Sequence, residues 1–274
     1  MKRKVFAYPY LLWMVCLILA PMLLILYYAF STEVDGRSVL SLENIKMAFD
    51  PLYMSTLGYS LLIAGGATLV CLLIAYPVAY ILSRMKPKTG ALASVLFILP
   101  MWMNMLLRTY AWMGLLQRKG LLNRLFGLFG LGPFTMLPSQ GAVIIGLVYN
   151  FLPFMILPIY NALQKIPRAN IEAAQDLGAN GFQIFMRLIL PQSIPGIVSG
   201  ISMVFVPSIS TFAVSRLLGG GLNAMYGDLI ENLFTYGNNW HLGSALSLIL
   251  TVLVLISMVI STRWDKSGEG AGLL

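Results

Sequence analysis

The chain has 274 residues, of which 58% are hydrophobic and only 10% charged, with a mean hydropathy of +0.81, against roughly 45–50% and about 25% in soluble domains. That composition excludes a soluble globular protein and calls for a membrane. The formal charge of +8 would point to nucleic acid in a soluble chain, but these cations are scattered through short loops and fit membrane topology, so no nucleic-acid partner is expected.

A helix needs about 20 mostly apolar residues to cross the hydrocarbon core. This predicts an all-α integral membrane protein with six spans, at 9–30, 58–82, 91–113, 140–163, 189–213 and 242–262, in one membrane domain covering 1–274. Met1-Lys2-Arg3-Lys4 and the apolar run after it resemble a signal peptide, but the run is long and lacks a small-x-small cleavage site, so it reads as an uncleaved first span. Cys16 and Cys71 lie in apolar stretches and read as small hydrophobes, not as a disulfide or metal site.

Glu33, Asp35, Glu43 and Asp50 outnumber Arg37 and Lys46 between the first two spans. Arg84, Lys86 and Lys88 join the second to the third, Lys165, Arg168 and Arg187 the fourth to the fifth, and Arg263 and Lys266 follow the sixth. With the three cations at the start these make eleven of the 18, which places both termini in the cytoplasm. The loop at 114–139 opposes that assignment, because it puts Arg118, Lys119 and Arg124 outside.

The third span carries Trp102, Asn104, Arg108, Tyr110 and Trp112, and the fourth Tyr149, Asn150 and Phe154. Such groups are costly facing lipid at depth, so Asn104, Arg108, Tyr110, Asn150 and Phe154 are candidates for a translocation pathway. Aromatic faces attract ammonium groups. The alternative is interfacial, since Trp and Tyr gather at bilayer surfaces and Arg108 can snorkel from the outer end of its span. Pro100, Pro153, Pro158, Pro191, Pro195 and Pro207 interrupt the spans, which predicts breaks lining a cavity or covered by neighbours. Gly196-Ile197-Val198-Ser199-Gly200 is a small-xxx-small face for close helix packing.

Between the fourth and fifth spans lies a polar insert, 165–188. After Pro167, Asn170 to Leu177 reads as a short helix with Ile171, Ala174 and Leu177 on one face and Gly178 at its end. A second short helix runs through Phe182, Ile184 and Phe185 to Pro191. A helix this short is marginal alone, below roughly 12–15 residues, and needs a partner surface.

An external amphipathic helix is expected around Leu229, Ile230, Leu233 and Phe234, with these four facing inward. Its Asp228 and Glu231 attract cations at an external gate, dock a binding protein, or form a solvated face. His241, the single histidine, sits at the mouth of the last span and reads as an interfacial polar group.

Glu172-Ala173-Ala174, three residues, Gly178, nine residues and Leu188-Ile189-Leu190-Pro191 resemble the cytoplasmic signature of ABC importer permeases, with Leu188 where the family has Ile. Leu99-Pro100, Leu107-Arg108-Thr109-Tyr110-Ala111-Trp112, Leu152-Pro153-Phe154-Met155-Ile156-Leu157-Pro158, Asp176-Leu177-Gly178-Ala179 and Asn239-Trp240-His241-Leu242-Gly243 are similar to the permeases of spermidine/putrescine importers.

The resemblance implies a type I importer permease (MetI-like) fold in the bacterial inner membrane. In it, Glu172, Ala173, Ala174, Asp176, Leu177 and Gly178 form a coupling helix docked in a groove of an ATPase. It further implies a second, homologous permease (PotC-like), an ATPase dimer (PotA-like), a periplasmic binding protein (PotD-like), and polyamine import by alternating access. Another small organic cation, an amino-acid derivative or a phosphonate is the alternative cargo, and Arg108 would suit the last better.

The chain has no Gly-x4-Gly-Lys-Ser/Thr loop, so no enzyme activity and no cofactor is expected in it. ATP and Mg would bind the ATPase. No paired carboxylates lie within a span, which argues against a proton relay of the kind many ion-driven carriers use; an autonomous channel or ion-driven carrier is the competing class.

Overall fold

A computed structural model describes residues 13–34, 37–221 and 224–264. The basic start at residues 1–4, the beginning of the first predicted span and the tail with Lys266 lie outside the described residues. Helices α1 (Val15–Ala29), α2 (Glu43–Ala48), α3 (Pro51–Arg84), α4 (Pro87–Ile98), α5 (Met105–Leu116), α6 (Leu121–Leu128) and α7 (Gln140–Gln164) form the first part. Next come α8 (Arg168–Asp176), α9 (Gly181–Ser210), α10 (Ala213–Gly219), α11 (Tyr226–Thr235) and α12 (Trp240–Trp264). The all-helical expectation needs one addition, a short antiparallel hairpin of β1 (Ser31–Val34) and β2 (Arg37–Leu40), with Ser31 opposite Leu40.

Among the described residues, four helices are long and apolar enough to cross a membrane: α3, α7, α9 and α12. They match the predicted spans at 58–82, 140–163, 189–213 and 242–262, with shifted ends. Helix α3 starts earlier, because Pro51 suits a first helical turn and the Asp50 side chain accepts a hydrogen bond from the Leu52 N–H at 2.9 Å. Helix α1 measures roughly 22 Å, shorter than the hydrocarbon core.

The interruption expected at Pro100 divides the predicted span at 91–113, whereas Pro153, Pro158, Pro195 and Pro207 lie inside continuous helices. Helix α4 runs into a 3-10 turn, Leu99–Trp102, and stops. The segment on either side of the break turns by 89°. Pro100 lacks an amide N–H, and Asn104 leaves the helical region (φ −57°, ψ 133°) to cap α5, its Oδ1 accepting from the Leu106 N–H at 2.8 Å. A broken span counts as a fifth crossing, if the two halves are taken together.

The core is a three-helix packing of α3, α7 and α9. Ala67, Cys71, Ala75 and Ala79 of α3 face Leu147, Met155, Ile156 and Ile159 of α7 in one buried cluster. Small residues on α3 let the backbones approach, which substitutes for the hydrophobic effect that lipid cannot supply. A second cluster joins Ala29, Ala48, Leu57, Tyr226, Leu242, Ala245 and Leu246, tying α1, α2, the start of α3, α11 and the start of α12 together. His241 fastens that end, its Nδ1 3.1 Å from the Tyr28 carbonyl oxygen and its ring edge-on to Tyr28.

Candidate coupling site and pathway

Helix α7 ends at Gln164, and three residues later Pro167 opens α8. None of the nine residues of α8 is buried. Ile171 and Ala174 rest against the core cluster, but Leu177 is 89% exposed, so it does not share their face as expected. Leu177 has left the helix as its C-cap (φ −78°, ψ 5°). Gly178 then turns the chain at φ +81°, a conformation that costs a residue with a Cβ roughly 1 kcal/mol or more. The Gly178 and Ala179 N–H groups donate to the carbonyls of Gln175 and Ala174 at 2.8 and 3.0 Å, closing the helix end. Glu172, Ala173, Asp176 and Gly178 are all exposed.

The second short helix of the insert is not separate. It is the first turn of α9, opened by a capping box in which Asn180 Oδ1 accepts from the Gln183 N–H at 2.8 Å and Gln183 Oε1 accepts from the Asn180 N–H at 3.0 Å. A wider turn, Phe185–Ile189, carries the helix past Pro191 without a break. Phe185 sits edge-on to Tyr76 and Tyr80 of α3, at centroid distances of 5.8 and 6.2 Å. The Tyr76 and Ser193 hydroxyls are 3.0 Å apart. Helix α8 is thus joined, through Gly178–Ala179 and a capped start, to a continuous helix locked onto α3.

Helix α9 meets α7 at the small-residue face. A Cβ at Gly196 would stand 2.6 Å from the Pro158 carbonyl oxygen, and one at Gly200 would stand 2.7 Å from Met155 Sδ. The packing role of this face holds. Beside the crossing lies a cavity of about 560 Å³, lined by Phe154, Asn161, Gln192, Ser199 and Met203 among others.

Of the predicted pathway residues only Phe154 lines this cavity. Asn104 caps α5, Tyr110 is 49% exposed on α5, and Asn150 donates from Nδ2 to the Gly146 carbonyl of its own helix at 2.9 Å. Arg108 is buried on α5, and its Nε and Nη1 find no hydrogen-bond partner among the described residues. The sequence reading missed Asn161, Gln192 and Ser199. Their signal was helical spacing, with Phe154, Pro158 and Asn161 one turn apart on α7 and Gln192 and Ser199 two turns apart on α9.

Helix α11 meets the expectation for its apolar face: Leu229, Ile230 and Leu233 pack on the second cluster, and Phe234 sits edge-on to Trp240. A solvated face does not describe Asp228, which is buried. Its Oδ2 accepts from the Ser215 hydroxyl at 2.5 Å and the Met225 N–H at 2.8 Å. Burial holds its carboxyl above the usual carboxylate range, against the opposing pull of those two donors. Glu231 is paired with Arg216, which also donates to Asn232 Oδ1 at 2.9 Å.

Residues 72–266 match the family model described as binding-protein-dependent transport system inner membrane component. The chain is 42% identical to the spermidine/putrescine transport system permease protein PotB of Haemophilus influenzae, over 93% of this chain and 91% of that one. To the PotB protein of Escherichia coli it is 37% identical, over 93% and 94%. Among solved structures, a bacterial ABC transporter that imports the acidic polysaccharide alginate superposes with a TM-score of 0.78 at 18% identity, covering 97% and 98% of the two chains. The methionine transporter MetNI superposes with a TM-score of 0.55 over 78% and 94% at 19% identity, a likeness of fold alone. The chain belongs to the inner-membrane components of binding-protein-dependent transport systems, the permeases of ABC importers.

Proposed function

We propose that this permease forms half of an import pathway for polyamines, spermidine and putrescine, and works by alternating access. The observation that carries the mechanism is α8, a helix without a buried residue, followed by a left-handed glycine and a capped, continuous α9. Its exposed Leu177, with Glu172, Ala173, Ala174, Asp176 and Gly178, is a coupling element shaped for a groove on an ATPase (PotA-like). Closure of the ATPase pair moves α8, and α9 carries that movement past Phe185 into the α7–α9 crossing. ATP and Mg belong to the ATPase, and a homologous second permease (PotC-like) and a binding protein (PotD-like) complete the importer. The reading keeps one membrane domain, six crossings with α1 and the broken α4–α5 pair included, and both termini in the cytoplasm.

The polyamine assignment rests on identity of 37–42% to relatives of that name along nearly their whole length. Arg108 does not line the α7–α9 cavity, although the cation Lys165, at its end toward α8, does. Phe154 offers a π face worth about 0.5–2 kcal/mol to an ammonium group, and Asn161, Gln192 and Ser199 offer neutral oxygens. The sequence has no Asp or Glu from 51 to 171, so carboxylates for a polycation beside these helices, and for Arg108, whose Nε and Nη1 lack a partner among the described residues, come from the second permease. At the outer end, Asp228 and Glu231 hold α10 against α11 and thereby shape an external gate or binding-protein contact.

The test is uptake of labelled putrescine and spermidine by proteoliposomes holding this chain, the second permease and the ATPase, with the binding protein supplied outside. ATP-dependent polyamine uptake is expected. Uptake of a phosphonate or amino-acid derivative in its place would overturn the cargo, and flux through this chain alone would overturn the mechanism.

A further inference from the structure

The segment between α5 and α7 conflicts with the charge rule that orients the rest of the chain. It carries Arg118, Lys119 and Arg124 with no acidic residue. All three are exposed, and none makes an ion pair among the described residues. Helix α7 spans 25 residues, about 37 Å, so this segment and α8 lie at opposite ends of a membrane-crossing helix.

Its shape is that of a surface element. The inner side of α6 is fixed: Asn123 is buried, its Nδ2 donating to the carbonyls of Gln117 and Phe134 at 3.2 and 2.9 Å and its Oδ1 accepting from the Phe134 N–H at 2.8 Å. Phe126 sits edge-on to Phe134 at 5.6 Å, further bracing the loop. The outer side is apolar and bare, with Leu121 55%, Leu125 44%, Leu128 80% and Phe129 79% exposed. Leu121, Arg124, Leu125 and Leu128 follow i, i+3, i+4, i+7 spacing, which puts a cation within the apolar stripe.

We propose that Arg118–Phe134 is an interfacial anchor that seats anionic phospholipid headgroups on the outer leaflet. The leucines and Phe129 enter the boundary between headgroups and acyl chains, and the three cations pair with lipid phosphates above them. A peptide or protein docked on this face would have to match an apolar stripe with a cation inside it, whereas an anionic lipid satisfies the stripe with its acyl chains and the charge with its phosphate. The anchor also resolves the topological conflict, because cations held at an external surface by lipid phosphates need not have been retained in the cytoplasm. It rests on the membrane orientation of α7 and not on the cargo.

The experiment uses the full chain with C16S and C71A and a fluorophore on L128C. The protein is placed in phosphatidylcholine vesicles containing a minor fraction of brominated phosphatidylglycerol or brominated phosphatidylcholine. Quenching is expected from both, stronger from phosphatidylglycerol and weakened by salt. R118Q, K119Q and R124Q should each reduce the preference roughly fivefold, and R118K with R124K should retain it. A label that neither lipid quenches, or a preference unchanged in the triple glutamine variant, would overturn the proposal. Because neither ATP nor polyamine enters the measurement, its failure leaves the transport reading standing.

Discussion

Helices α7 and α8 are separated by three residues and solve opposite problems. Helix α7 is enclosed by α3, α9 and α10 of its own chain, with Leu147, Met155, Ile156 and Ile159 fully buried. Helix α8 buries nothing completely and ends in an exposed leucine. The first owes its place to contacts made within this subunit, so changes there should remove the protein. The second has an exposed surface, the one the proposed ATPase contact would cover, so changes there should spare the protein and remove its coupling.

The largest effect is expected at the α7–α9 crossing. In Gly196→Val the new Cβ meets the Pro158 carbonyl oxygen and Ala162 Cβ, both 2.6 Å away. Overpacking of this kind costs about 1–3 kcal/mol when neighbours can shift, and a backbone oxygen cannot. Recovery of folded permease from membranes should fall at least tenfold, read by fluorescence-detected size exclusion. Adding Ala162→Gly should not restore it, because the carbonyl remains. Wild-type recovery of the single variant would mean that the crossing is looser than the glycine contacts imply.

Leu177→Asp should behave in the contrary way. An exposed side chain changes folding stability by no more than about 0.5 kcal/mol, so recovery should match the wild type. Loss of a central apolar anchor from an interface costs about 2 kcal/mol or more, on the order of 30-fold in affinity. ATPase association should weaken accordingly, with ATP-driven uptake falling at least tenfold. Glu172→Lys and Gly178→Asp should lower uptake in the same direction. If Leu177→Asp couples normally, α8 is a solvated loop helix and the mechanism proposed for it fails.

These two regions were also unequally legible. The signals for α7 were local: an apolar run with Ser139, whose hydroxyl accepts from the Ala142 N–H at 3.1 Å, at its head. Gly178 announced the end of α8 for the same reason, since a single residue sets that turn. The orientation of Leu177 was hidden because it depends on where the helix stops, and one residue there swings the side chain through a full face. The break at Met103–Asn104 was announced by Pro100, and only its exact place was masked, by the apolar residues on either side. The burial of Asp228 was beyond local reading, because Ser215, which donates to it, lies on another helix 13 residues away.

Asp228 provides the finest test of which contacts are internal. Both donors, the Ser215 hydroxyl and the Met225 N–H, converge on Oδ2, and Oδ1 is buried without a partner among the described residues. In Asp228→Asn the amide oxygen can accept both donors and the amide nitrogen takes the place of the lone Oδ1. The variant gives up the charge whose burial raises the carboxyl pKa. The net change should therefore lie within about 1 kcal/mol. Asp228→Ala leaves the Met225 N–H and the Ser215 hydroxyl unpaired and should cost about 1–3 kcal/mol.

A native carboxylate held above its ordinary pKa is destabilised as pH rises from the unfolded pKa through the folded one, so the wild type should lose stability across that interval. Asp228→Asn should not share that loss, and thermal unfolding in detergent at a series of pH values distinguishes the two. A carboxylate whose value is instead to meet an external cation predicts a different result: Asp228→Asn would unfold like the wild type at every pH yet transport polyamine poorly. That outcome would move Asp228 from the packing of α10 on α11 to the entrance of the pathway.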